Sequence, residues 1–157
     1  MKKYKWLIIA LVIIIFGLIF IIDKEELFDK KFHLDRNLYN SKTTLKSINK
    51  DKLNSLLRKR SSFVLFISPT FCTSSSPCED TFEDVFKEKK ITLYKIDYTD
   101  IKDTKLNEKI KYAPSVAIIR KGKLVAFLDA NSSDDKKIYD SSKEFIKWLK
   151  KYIYLSR

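Results

Sequence analysis

Histidine is almost missing from this chain: His33 is the only one in 157 residues. A serine hydrolase of the triad type needs an imidazole to take the hydroxyl proton, so Ser68, Ser74, Ser75 and Ser76 have nothing to activate them and are expected to be loop and cap residues. The same scarcity argues against a metal site, because His33 stands far along the chain from both cysteines. Glycine occurs twice and proline three times, so each becomes a positional marker. Acidic residues number 20 against 32 lysines and arginines, a formal charge of +12. The excess is mostly lysine, spread along the chain rather than gathered with aromatics, and no nucleic-acid motif is present; nucleic acid is not expected as a partner. A solvated basic surface is the default, and attraction to an anionic membrane or wall polymer is the hypothesis the charge raises.

What is present begins with an apolar run. Residues 6–22 carry no charge and are apolar apart from Gly17. At ~1.5 Å rise per residue they suffice for one transmembrane helix, which needs ~17–25 residues. The stretch Phe20-Ile21-Ile22-Asp23 offers no small-x-small cleavage pattern, and no cysteine follows for lipidation, so an uncleaved single-pass anchor is expected. Lys2, Lys3 and Lys5 precede the run, whereas Asp23, Lys24, Glu25 and Glu26 follow it with mixed sign. The positive-inside bias puts residues 1–5 in the cytoplasm and the C-terminal domain outside it. Residues 23–43 are dense in charge, with Leu27, Phe28, Phe32, Leu34 and Leu38 at loosely helical intervals; a juxtamembrane stalk carrying His33 is expected. Residues 44–157 are enough for one small domain with a single core. Richness in lysine and isoleucine fits a bacterium with an AT-rich genome.

Within that domain the hydrophobic pattern predicts a short strand at 44–48 and an amphipathic helix at 50–59 built on Leu53, Leu56 and Leu57. The continuous apolar run 63–67 predicts a strand buried on both faces. A helix is predicted to begin at Pro77, where Ser76 and Glu79 form a capping box around proline at the first helical position, and to carry Phe82, Val85 and Phe86 inward. A strand at 91–97 and a polar stretch at 100–111 with a short helix follow. Runs 115–119 and 124–128, joined by Arg120-Lys121-Gly122-Lys123, predict a β-hairpin. The last helix, 141–152, aligns Phe145, Trp148, Leu149 and Tyr152. The order βαβαβαββα implies an α/β domain with a mixed central sheet flanked by helices.

Both cysteines fall in Ser-Pro-Thr-Phe-Cys-Thr-Ser-Ser-Ser-Pro-Cys-Glu, residues 68–79, between the buried strand and the helix start. Cys78 would occupy the first helical turn, where unsatisfied N–H groups and the dipole stabilise a thiolate, and Cys72 could close a small disulfide ring with it. Such a pair is permitted outside the cytoplasm, either labile or structural. Glu79, Asp80, Glu83 and Asp84 are expected to be capping and solvating groups whose charge opposes the helix effect on a thiolate.

With the buried strand running into the cysteine-bearing turn, Asp97 closing the next strand, and Tyr112-Ala113-Pro114-Ser115-Val116 preceding the hairpin, the chain resembles the thioredoxin fold over about residues 44–152. The resemblance implies a cis peptide bond at Pro114, lying against the active-site cysteine, with Phe71, Ala113 and Pro114 forming the groove for an extended substrate. It implies thiol–disulfide exchange through Cys72 and Cys78 on secreted proteins or peptides, with no cofactor and no metal. The family signature is Cys-x-x-Cys, and this chain has Cys-x5-Cys. Either Cys72 takes the nucleophile position and Ser75 replaces the resolving cysteine, or Ser75 replaces the nucleophile and Cys78 is the resolving thiol. Phe66 stands six residues before Cys72, where thioredoxins often carry an acid. The arrangement of anchor plus small domain is similar to membrane-anchored bacterial members, including bacteriocin transport accessory proteins. That similarity implies an alternative: a non-catalytic accessory module of a membrane transport or secretion complex, stapled by a Cys72–Cys78 disulfide.

Overall fold

The computed structural model describes residues 11–12, 31–69 and 77–156. The chain divides into two units, Met1–Lys30 and Lys31–Arg157. In the first, only Leu11 and Val12 are described, and both are helical and exposed. The span expected at 6–22 otherwise lies outside the described residues, and among the described residues no helix is long and apolar enough to cross a membrane.

The second unit is organised around β2 (Phe63–Ser68), in which every residue is buried. Strand β3 (Leu93–Asp97) pairs with it in parallel, and β4 (Ser115–Arg120) lies antiparallel on the other side. The edges are β1 (Leu45–Ser47), parallel to β3, and β5 (Lys123–Phe127), antiparallel to β4. The order β1-β3-β2-β4-β5 explains the burial pattern: the central β2 and β4 are apolar runs almost wholly buried, β3 is buried except at Lys95 and Asp97, and the edge strands retain lysines and partial exposure. The β4–β5 connection is a two-residue turn with φ of 49° at Lys121 and 75° at Gly122, the positive-φ pair that matches the twist of a hairpin.

Helix α1 (Lys50–Arg58) is capped by Asn49, whose side chain accepts the Lys52 N–H, and it buries Leu53 and Leu56. Helix α2 (Pro77–Glu88) buries Phe82, Val85 and Phe86. Ser76, its expected cap, lies outside the described residues. The polar stretch after β3 forms a single-turn α3 (Tyr98–Ile101) and a 3-10 turn at Lys105–Glu108, held by buried Ile101, Leu106 and Ile110. A helix that the periodicity does not announce, α4 (Ser133–Tyr139), precedes α5 (Ser142–Tyr152). Helices α2 and α5 pack together through aromatic contacts, with Phe82 and Phe145 centroids 4.3 Å apart and Phe86 and Phe145 6.1 Å apart.

The expected stalk is corrected over its described part, residues 31–43. Phe32, Leu34, Leu38 and Tyr39 are buried in the core, and the only helical piece is a 3-10 turn at Arg36–Leu38. Phe32 forms a parallel bridge with Ile153, and Tyr39 an antiparallel bridge with Ile91. The Tyr39 hydroxyl accepts the Leu34 N–H at 3.0 Å and donates to the Tyr154 carbonyl at 2.8 Å. Apolar side chains at loosely helical spacing thus belong to an extended entry segment that lies along the domain and closes it. His33 is exposed and stacks on Tyr154, centroids 4.6 Å apart.

Candidate active site at the C-terminal end of the central strands

Parallel pairing brings the ends of β2 and β3 level, with Ser68 opposite Asp97. The buried Ser68 hydroxyl hydrogen-bonds the Asp97 carboxylate at 3.0 Å, with the Ile96 carbonyl at 3.3 Å as an alternative acceptor. On the other side of β2, Ser115 opens β4 opposite Ile67. Pro114 therefore lies beside the end of β2, where the chain leaves for the cysteine-bearing segment. The Ala113–Pro114 peptide bond is cis, as the resemblance implies.

Cys78 belongs to the first turn of α2; Phe71 and Cys72 lie outside the described residues. One turn beyond Cys78, the fully buried Phe82 touches the rings of Phe66 (centroids 5.8 Å apart) and Tyr139 (5.6 Å). The Tyr139 hydroxyl donates to the Pro114 carbonyl at 2.9 Å. A continuous path, Pro114–Tyr139–Phe82, thus links the proline to the start of the cysteine-bearing helix. Tyr139 escapes a reading of the sequence because α4 shows too little apolar periodicity. The available signal is Ser132-x-x-Asp135: Ser132 Oγ accepts the Asp135 N–H, and Asp135 Oδ2 accepts the Asp129 N–H, a capping arrangement that marks a helix start.

The expectation that Glu79 merely solvates its helix is corrected. Its carboxylate pairs with Lys95 of β3, and the two side chains are only 13% and 26% exposed. Lys95 is the register partner of Phe66, so this pair ties α2 to β3 beside the central strand. Asp80 and Asp84 are exposed, as expected. Among the described residues no group of three or more His, Cys, Asp or Glu side chains is suited to hold a metal ion.

No protein-family model matches the chain, and no curated protein sequence does. Solved structures do. The thioredoxin of Schistosoma mansoni is 21% identical with a TM-score of 0.51, over 72% of this chain and 99% of that one. The oxidised thioredoxin of Plasmodium falciparum is 14% identical, again with a TM-score of 0.51, over 69% of this chain and 97% of that one. These likenesses are of fold. Together with the strand order and the cis proline at the head of β4, they define the Lys31–Arg157 unit as a thioredoxin-like α/β domain.

Proposed function

We propose that this protein is a membrane-anchored, extracytoplasmic thiol–disulfide oxidoreductase acting on secreted proteins or peptides. The observation that carries the reading is the contact path Phe82–Tyr139–Pro114, which ties the helix whose first turn holds Cys78 to the proline beside the end of β2. A thiolate at a helix N-terminus is stabilised by free N–H groups and the dipole, which makes it a better nucleophile and leaving group near neutral pH. Acting as oxidant, the Cys72–Cys78 disulfide is attacked by a substrate thiolate; one S–S bond breaks, a mixed disulfide forms, and the other cysteine leaves as thiolate. A second substrate thiolate then attacks the mixed disulfide. The substrate leaves with a new disulfide, and Cys72 and Cys78 have taken up two electrons. Ala113 and Pro114, with Phe71, would border the bound segment. Anchoring rests on the uncharged run 6–22, and orientation on Lys2, Lys3 and Lys5 before it.

A second reading has its own support. Phe66 is fully buried where an acid would assist proton transfer, and Cys-x5-Cys departs from the usual spacing. Both favour a stapled accessory module of a membrane transport or secretion complex, since a fold does not by itself confer activity. The reduction potential of the Cys72–Cys78 pair in the purified full chain, read by thiol alkylation and mass spectrometry across a dithiothreitol series, separates the two. A value between about −120 and about −270 mV, with Cys78→Ser abolishing oxidation of a model dithiol peptide, is the expected result for the enzyme. A pair that stays oxidised below about −300 mV would instead identify a structural staple.

A further inference from the structure

At the pole opposite Cys78, separate parts of the chain are drawn into one surface by backbone hydrogen bonds. The Phe32 N–H donates to the Tyr152 carbonyl at 3.0 Å and the Asp35 N–H to that of Ser62 at 2.8 Å, joining the entry segment to the end of α5 and to the α1–β2 turn. The Ser41 N–H donates to the Lys90 carbonyl at 3.1 Å, which brings in the end of α2, and the Gly122 N–H to that of Ser61 at 2.8 Å, which brings in the hairpin tip. The exposed side chains here include a basic cluster: Lys59, Arg60, Lys90, Lys121, Lys123 and Lys151. The nearby acids are engaged, Asp35 accepting the Ser62 N–H and Glu88 pairing with Lys89. The other pole is mixed in sign, with Asp97 at the end of β3, Asp100 after it and Asp129 after Leu128 interspersed with Lys102, Lys105 and Lys136.

Cations at helix C-termini also complement the helix dipole, but that does not account for the turns. Arg60, Lys90 and Lys121 have φ of 55°, 52° and 49°, left-handed positions where glycine or asparagine is the less strained choice. At three tight turns on one pole the chain carries a long cationic side chain in spite of the backbone cost. The chain also enters the domain at this pole, through Lys31. Only residues 23–30 separate it from the apolar run, a tether of about 30 Å at full extension.

We propose that this basic pole docks on anionic lipid headgroups of the membrane that holds residues 6–22, so that the opposite pole, where α2 begins, lies away from the bilayer. The proposal rests on the anchored reading above. It assigns lipid rather than a wall polymer because the short tether keeps this pole near the bilayer surface, where attraction acts over about one screening length, ~10 Å at 0.1 M salt.

The test is lysine acetylation footprinting by mass spectrometry on the full chain reconstituted into vesicles of phosphatidylcholine, with or without phosphatidylglycerol. On anionic vesicles Lys59, Lys90, Lys121, Lys123 and Lys151 should react about threefold or more slowly than on neutral ones, with the protection lost near ~1 M salt. Lys102, Lys105 and Lys136 should react equally on both. Lys121→Glu combined with Lys123→Glu, at an exposed hairpin tip, should abolish the protection while leaving the far-pole lysines unchanged. Equal footprints from a chain that stays with neutral vesicles at high salt would overturn the docking and leave the anchor standing. Release from neutral vesicles by salt would overturn the anchor, and the docking with it. Protection by soluble poly(glycerol phosphate) but not by anionic vesicles would overturn the lipid assignment in favour of a polyanionic polymer.

Discussion

Tyr94 on β3 lies edge-on to Phe63, centroids 5.6 Å apart, with 5% of its surface exposed. Burial, and secondarily the charge of Asp35, raise its phenol above the ordinary tyrosine value of 10.0. As pH rises the unfolded chain loses this proton first. The neutral phenol's contribution is therefore complete below pH 10.0 and is lost as pH climbs through the higher folded value. The urea midpoint should fall as pH rises above about 10, and fall less in Tyr94→Phe. Equal falls would place the alkaline sensitivity elsewhere. Gly122 is constrained differently: at φ 75°, an added Cβ would lie 2.2 Å from the Leu57 carbonyl oxygen, a backbone atom that cannot swing aside. Gly122→Ala should cost about 2 kcal/mol or more in stability, measured by thermal unfolding, by parting the hairpin tip from the end of α1. That glycine was legible as a turn marker, but its contact with α1 was not, because no local pattern records which distant backbone a turn rests against.

Among the elements, the entry segment makes the largest difference. Each buried Phe32, Leu34, Leu38 or Tyr39 contributes roughly 1.5–3 kcal/mol relative to exposure, so their joint loss approaches the ~5–15 kcal/mol that holds a small domain folded. A chain beginning at residue 44 should lack a cooperative urea transition, whereas one beginning at residue 31 should keep it; matching transitions would show that the segment is dispensable. The segment's place in the core is not legible locally because its partners, Ile91, Ile153 and Tyr154, stand far along the chain, while the spacing of its apolar residues satisfies a helical template. Helices α1 and α5 and the β4–β5 hairpin were legible because burial on one face imposes a period on local sequence. The short α4 has two buried residues, Ile138 and Tyr139, too few to establish one.

At the scale of the whole molecule, the order of strands, and of helices apart from α4, could be read from the chain, but the insertion of β3 between β1 and β2 is a long-range choice that periodicity does not encode. Cys78 and Pro114 stood out as rare residues at element boundaries. The Tyr139 link and the Glu79–Lys95 pair join elements distant in sequence and became visible only in three dimensions. Likewise, composition carries the charge of +12 but not its division between poles. The closure of the domain also bears on how it is made. Phe32 exchanges backbone hydrogen bonds with Tyr152 and Tyr154, and Tyr39 reaches the Tyr154 carbonyl. During synthesis from the N-terminus, the backbone of Phe32 therefore waits for residues 152–154 before its partners exist. This domain closes only after the ribosome has delivered residues 152–154.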